Sequence, residues 1–255
     1  MIVGGDSLIG SALSNYWRNE NIPAHVSTRQ EEKVSNNCPL INLHEPDSFQ
    51  YLDNYQSAVI CAAITDMAEC EKTPNKTRAV NVTATIELIK NLSAKKTHIV
   101  FLSTNQVFDG EMPMQKPDAP HGPINEYGKQ KAEVENFVIN IPNACILRLT
   151  KVMHPGMGLL NNWMKSLSNG KPISAFRDMT LSPISINDVI KKINSLIRQK
   201  ATGIFQLSGA QDITYLEFAR TFAKKHGYSP HLVIEGSWKG KLDFTPPKFM
   251  SLMNI

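Results

Sequence analysis

The chain has little cysteine: Cys38, Cys61, Cys70 and Cys145 in 255 residues, with no Cys-x-x-Cys pair. That excludes a disulfide-stapled mini-protein. Cys61 and Cys145 stand inside apolar runs and read as buried, reduced thiols. The histidines, at 25, 44, 98, 121, 154, 226 and 231, show no ligand-like pairing, so no metal is expected. No apolar stretch approaches the roughly 18 residues that a membrane helix needs. The first residues offer no basic segment leading into an apolar one, so no secretory signal is predicted. Charge of one sign is scarce as well. The 27 Lys+Arg and 23 Asp+Glu leave a net +4, dispersed rather than clustered as nucleic-acid binding requires. Lys95-Lys96 and Lys224-Lys225 read as solvated helix ends. There is no internal repeat and no low-complexity tract. These absences predict a cytoplasmic protein with neither nucleic acid nor membrane as partner.

With 42% hydrophobic residues, the chain is long enough to bury a core without a metal or disulfides. From the start to about Leu149, short apolar runs alternate with amphipathic segments. The runs are Met1-Ile2-Val3, 24–27, 58–61, 98–102 and 144–149; the helical patterns are Leu8–Trp17, Ala79–Leu92 and Glu126–Ile139. Runs of four to six residues without polar alternation suggest strands buried on both faces. Strands alternating with helices predict a doubly wound α/β domain over 1–150, around a parallel sheet. Beyond Thr150 the rhythm loosens, and 151–255 reads mainly as a small α/β substrate-binding lobe interleaved with the first domain. Helices are expected over 159–167 and 214–225, the second opened by a Thr214-x-x-Glu217 capping box. The tail, with Pro246-Pro247, reads as a loop and a terminal turn. The first strand has three residues before its loop, which predicts either a frayed edge or chain upstream of Met1.

That loop reads Val3-Gly4-Gly5-Asp6-Ser7-Leu8-Ile9-Gly10. A tight glycine turn from strand into helix exposes N–H groups at the helix's positive end, where a pyrophosphate can bind. Gly4 would make the turn, and Gly10 would let the helix pack closely. The second run ends Ser27-Thr28-Arg29. An Arg there accommodates the 2′-phosphate of NADP where an acidic residue would take the ribose of NAD. The reading is therefore NADP(H) preferred, with NAD(H) left open. The run at 98–102 leads into Ser103-Thr104-Asn105-Gln106, and Tyr127-x-x-x-Lys131 follows at a helix start. That spacing puts both side chains on one helix face. An ammonium there should lower the Tyr pKa from about 10 toward working pH. Such a Tyr can exchange a proton with a carbonyl oxygen while hydride moves at its carbon, and the Thr104 hydroxyl would hold the same oxygen.

In this order, the glycine loop, Ala62-Ala63 with Thr65, Ser103-Thr104 and Tyr127-Gly-x-x-Lys131 resemble the extended short-chain dehydrogenases/reductases. More narrowly they resemble the dTDP-4-dehydrorhamnose reductase branch. The resemblance covers about residues 1–225 and implies a Rossmann domain with a sugar-nucleotide substrate. It implies Thr104, Tyr127 and Lys131 as the catalytic group. It implies Gly4, Asp6, Ser7, Leu8, Ile9, Gly10, Arg29, Ala62, Ala63, Thr65, Tyr127 and Lys131 as the cofactor contacts. Thr104, Asn105, Val107 and Lys151 would contact substrate. Three residues depart from the branch's pattern: Ser7 stands for the middle glycine, Asn105 for an Asp, and Lys151 for an aromatic. Ser7 is tolerable only with negative φ. Asn105-Gln106, where sugar-nucleotide dehydratases have Asp-Glu, excludes dehydration, since amides do not exchange protons as carboxyls do. The expected activity is NADP(H)-dependent reduction of a nucleotide-linked 4-keto-deoxysugar. The alternatives are a catalytically silent NADP-binding regulatory subunit and a sugar-nucleotide 4-epimerase. Oligomeric state stays open, a homodimer being common among relatives.

Overall fold

Ile2 and Val3, Val59 and Ile60, and Val100 and Phe101 are neighbours in sequence that face opposite sides of one sheet, the period of two that extended backbone imposes. The computed structural model describes residues 1–46, 49, 52–241 and 245–255. Its central sheet has five parallel strands in the order β1 (Ile2–Val3), β2 (Ser57–Ile60), β3 (His98–Thr104), β4 (Ala144–Leu149) and β9 (Gly203–Leu207). β3 and β4 are buried along their whole length, as a sheet covered on both faces requires. The run at 24–27 is not a full strand. It joins the far side of β1 only through the bridge Ile2↔Val26, and Thr28 bridges to Leu40; a two-residue β1 offers little ladder to extend.

α1 (Leu8–Asn19) and α7 (Ile186–Gln199) cover one face with Leu13, Trp17, Val189 and Ile193. The Trp17 indole N–H ties the pair by donating to Asn194 Oδ1 at 2.7 Å. The other face carries α4 (Thr85–Ala94) and α5 (Glu126–Val138), through Leu88, Leu92, Val134 and Val138. Before α4 lie α2 (Met67–Lys72) and α3 (Pro74–Arg78). The helix expected over 79–92 opens instead as a wide π turn, Ala79–Ala84. Thr85 Oγ1 donates to Val80 O at 3.0 Å, giving a partner to a carbonyl in that widened turn.

The lobe contains β5 (Lys151–Met153), α6 (Gly158–Ser168), β6 (Ile173–Phe176), β7 (Thr180–Leu181), β8 (Pro183–Ser185), β10 (Ile213–Thr214), α8 (Tyr215–Lys225) and β11 (Val233–Gly236). Its three two-stranded sheets pair β5 with β8, β6 with β11 and β7 with β10. α6 and α8 close a separate core around Trp163, Phe222 and Val233. The Thr214–Glu217 capping box forms: Thr214 Oγ1 accepts from Glu217 N at 3.1 Å, and Thr214 N donates to Glu217 Oε2 at 2.7 Å. Among the described residues, no helix is long and apolar enough to cross a membrane.

The register aligns Val3 with Ile60, Ile60 with Phe101, and Thr104 with Leu149. The segments leaving β1, β2, β3 and β4 therefore emerge at one sheet edge, the carboxyl edge where ligands of doubly wound sheets bind.

Candidate active site

Gly4 leaves β1 with φ +84°, and a Cβ there would stand 2.7–2.8 Å from Ala62. Only glycine combines that backbone with that approach. Gly5 N donates to Ser27 O and Gly4 N to Ser27 Oγ, both at 2.8–2.9 Å. Ser7 has φ −77°, so its Cβ costs nothing, and its Oγ caps α1 by accepting from Gly10 N at 3.1 Å. A Cβ on Gly10 would lie 2.2 Å from Gly4 O. Gly10 thus lets α1 approach its own loop, rather than the sheet as expected from sequence. The N–H groups of Leu8 and Ile9 have no protein partner among the described residues.

A cleft of about 180 Å³ opens beside this loop, lined by Gly4, Asp6, Ser7, Arg29, Ala62 and Ala63 together with Asn42, His44, Ile64 and Val80. Six of the expected cofactor residues thus meet at one cavity. Leu8, Ile9, Gly10, Thr65, Tyr127 and Lys131 do not line it; Thr65 is exposed and Gly10 buried. Asp6 accepts from Thr28 Oγ1 at 2.6 Å, from Arg29 N at 3.4 Å and from Lys33 Nζ at 3.3 Å. Among the described residues, no group of three or more His, Cys, Asp or Glu is arranged to hold a metal ion.

Thr104 ends β3, with 8% of its surface exposed. Its Oγ1 accepts from Gln106 N at 3.2 Å, turning the chain into the short helix Asn105–Val107. α5 docks its first turn on this segment. Asn125 caps α5 by accepting from Gly128 N at 2.8 Å, while its Nδ2 donates to Gln106 Oε1 at 2.8 Å. Gly128 is a contact point: a Cβ there would sit 2.1 Å from Gln106 O. One turn on, Lys131 Nζ donates to Leu102 O at 2.8 Å and lies 4.5 Å from the centre of the Phe101 ring. Tyr127 is therefore carried between two fastenings of α5 to the end of β3.

The electrostatics correct the expectation about Tyr127. Burial raises its pKa well above the usual value near 10, and the Cys70 thiol adds to the rise. Burial also lowers the Lys131 amine to about 8, although Glu135 and Cys61 pull the other way. A helical spacing of four puts two side chains on one face but does not aim one at the other. Here the ammonium is taken by a carbonyl and an aromatic face, and burial favours the neutral form of the Tyr127 phenol.

Two buried networks support this geometry and were not foreseen. Asn81, inside the π turn, accepts from Ile64 N at 2.8 Å and donates to Ile64 O at 2.9 Å and Gln130 Oε1 at 2.8 Å. It therefore fixes the segment leaving β2 against α5. Glu135 and Arg148, each with 1% of its side chain exposed, pair at 2.6 Å. Arg148 also donates to Pro117 O at 2.9 Å and Gln206 Oε1 at 3.2 Å. Burial opposes ionisation of Glu135, yet hydrogen bonds from His121 and Arg148 hold its carboxyl below the usual range. Arg148, a lone charge inside the apolar run 144–149, was the available sequence signal.

Residues 1–237 match the family model described as the RmlD substrate binding domain. The chain belongs to this family. A protein of Haloferax volcanii named "Probable low-salt glycan biosynthesis reductase Agl14" is 29% identical over 257 residues, covering 95% of this chain and 84% of that one. The dTDP-4-keto-6-deoxy-D-glucose reductase of Streptomyces niveus is 24% identical over 239 residues, covering 90% and 79%. The crystal structure of dTDP-4-dehydrorhamnose reductase from Bacillus anthracis in complex with NADP superimposes with a TM-score of 0.84 at 19% identity, covering 100% of this chain and 89% of that one. That likeness shows the Rossmann-like fold.

In this RmlD-family chain the tail is not a free loop. Phe249 N donates to Gly110 O at 2.8 Å, Leu252 bridges to Gln115, and Asp212 accepts from Met250 N at 2.7 Å and Ser251 Oγ at 2.6 Å. This strap brings Met250 to the mouth of the site, where Asn105 Nδ2 donates to Met250 O at 3.0 Å. Asn105 therefore braces the strap. Val107 is wholly buried with Phe108, Ala132 and Leu252, so its side chain packs and does not face a substrate. Lys151 is exposed on β5, just past the carboxyl end of β4.

Proposed function

We propose that this protein reduces the keto group of a nucleotide-activated 4-keto-deoxysugar with a nicotinamide dinucleotide, NADP(H) being the form that Arg29 favours. The reading is supported by one observation: α5, the helix that bears Tyr127 and Lys131, is fastened to the end of β3 beside Thr104 through Lys131 Nζ on Leu102 O and Asn125 on Gln106, at the sheet edge that also holds the glycine-loop cleft. The cleft suits a dinucleotide, since Gly4 presents bare backbone and the Leu8 and Ile9 N–H groups at the positive end of α1 have no partner among the described residues.

When bound, the nicotinamide supplies the hydride. The protein's residues manage the oxygen. The Thr104 hydroxyl donates to the keto oxygen and orients it. Tyr127, kept neutral by burial, delivers its proton to that oxygen as negative charge develops, a contribution of about 10²–10⁴-fold for a positioned acid. Lys131 would hold the nicotinamide ribose once the dinucleotide is bound, and through Leu102 it keeps α5 in register with β3. Neutral Asn105 and Gln106 offer no proton exchange of their own. Such an enzyme serves a small-molecule pathway in the cytoplasm, the homodimer being its expected form.

The test is NADPH oxidation by the purified chain with dTDP-linked 4-keto-6-deoxysugars, alongside NADPH binding followed by fluorescence. Turnover is expected, and Tyr127→Phe should reduce it at least about 100-fold with NADPH affinity retained. Undiminished turnover in that variant would overturn the assignment. Tight NADPH binding without turnover across a sugar-nucleotide panel would favour a regulatory subunit.

A further inference from the structure

Asp6 departs from the glycine loop toward the end of the 24–28 segment, and what it meets there is a set of anion-binding donors. Its Oδ2 accepts from the Thr28 hydroxyl at 2.6 Å and the Arg29 N–H at 3.4 Å, while its Oδ1 faces Lys33 Nζ at 3.3 Å. Thr28 is 2% exposed, and the Asp6 side chain is 27% exposed. Asp6 and Arg29 also line the same cleft. A hydroxyl, a backbone N–H and an ammonium converging on one carboxylate are the donor chemistry that a phosphate monoester uses. At the end of the extended 24–27 segment that bridges to β1, they occupy the place where a doubly wound sheet reads a dinucleotide's adenosine ribose.

We propose that Asp6 acts as an internal competitor for the 2′-phosphate, so that the choice between NADP(H) and NAD(H) is set by Asp6 opposing Arg29. The inference rests on the dinucleotide reading above and deepens it. The carboxylate engages the Thr28 hydroxyl and the Lys33 ammonium, repels a phosphate brought against them, and offers an acceptor to an unphosphorylated 2′-hydroxyl. Arg29, exposed and without an acidic partner of its own among the described residues, pulls the other way. A sequence carrying Arg29 alone would discriminate strongly for the phosphorylated form. This one holds that preference down from within its glycine loop.

The experiment compares binding of 2′,5′-ADP and 5′-AMP to the purified protein by calorimetry, and repeats the comparison with NADPH and NADH by fluorescence. Asp6→Asn keeps a neutral acceptor for the Thr28 hydroxyl, and Asp6→Ser removes the carboxylate altogether should the amide disturb the loop. Either variant should raise the 2′,5′-ADP to 5′-AMP affinity ratio by roughly tenfold or more, the factor carried by relief of one like-charge contact of about 1.4 kcal/mol. Adding Lys33→Gln to Asp6→Asn should cancel most of that gain, because the freed ammonium is the group that receives the phosphate. Binding of both probes with an unchanged ratio in Asp6→Asn and Asp6→Ser would overturn the inference. Failure of every form to bind either mononucleotide or dinucleotide would overturn the dinucleotide reading itself.

Discussion

Lys131 gives its ammonium to the carbonyl of Leu102 at 2.8 Å, two residues before Thr104 on the same strand. α5 is thus fastened to the backbone of β3, and burial favours the neutral form of Tyr127, one turn before Lys131. This bond holds α5, and with it Tyr127, against the strand that ends in Thr104.

The buried amine leaves a pH signature. Its pKa is about 8 in the folded protein, against about 10.4 for an unperturbed lysine. Between those values the unfolded chain binds more protons, so native stability rises with pH across that window. Below pH 8 both states are protonated and the cost of burying the charge, roughly 3 kcal/mol, is fully present. Urea unfolding should show wild type gaining on Lys131→Met by that order from about pH 8 to 10.5. A pH-independent difference would remove this account.

Asn125 both caps α5 and holds Gln106. Asn125→Ala should cost about 1–2 kcal/mol of stability. It should also lower kcat while NADPH affinity stays unchanged, because the lost bonds lie at the docking turn and not at the glycine cleft. A change confined to NADPH affinity would contradict this placement.

Glu135→Gln leaves Arg148 buried beside a neutral amide. A broken buried ion pair costs about 3–5 kcal/mol, which thermal melting at neutral pH should register. Because the Glu135 pKa is lowered on folding, its stabilising effect is present above the unfolded value near 4.3. It is lost as pH falls through the lowered value, so the difference between wild type and variant should shrink in acid. The same gap at pH 7 and in strong acid would refute the ionised pair.

Two glycines separate conformational tolerance from contact. Gly10→Ala drives a methyl to 2.2 Å from Gly4 O, whereas a methyl on Gly158 meets nothing within 4 Å. Gly10→Ala should abolish NADPH binding measured by fluorescence. Gly158→Ala should leave binding intact and raise the melting temperature slightly, since alanine favours a helix by up to about 1 kcal/mol. Equal behaviour of the two would show that the loop does not depend on this approach.

Much of the architecture was legible because it rests on local pattern. The runs at 58–61, 98–102 and 144–149 are strands, and Thr214-x-x-Glu217 closes its capping box. The run at 24–27 failed as a strand because β1, its neighbour, is only two residues long. Ser7 declared a constraint that its φ of −77° meets. Less was legible at the site. Val107 shares a motif with Thr104 but turns into the core, and the strap through Met250 and Asp212 joins segments more than 30 residues apart.

By itself the sequence determined the alternation of buried strands and amphipathic helices, the glycine positions of the first turn, and the placement of Tyr127 and Lys131 on one helix face. These follow from backbone periodicity and from the steric freedom of single residues, both short-range properties. Tertiary structure decided where the charges point: Lys131 to Leu102, Asp6 to Thr28 and Lys33, Glu135 to Arg148. The partners in such pairs come from separate elements, and the burial that shifts their proton affinities exists only once those elements have packed.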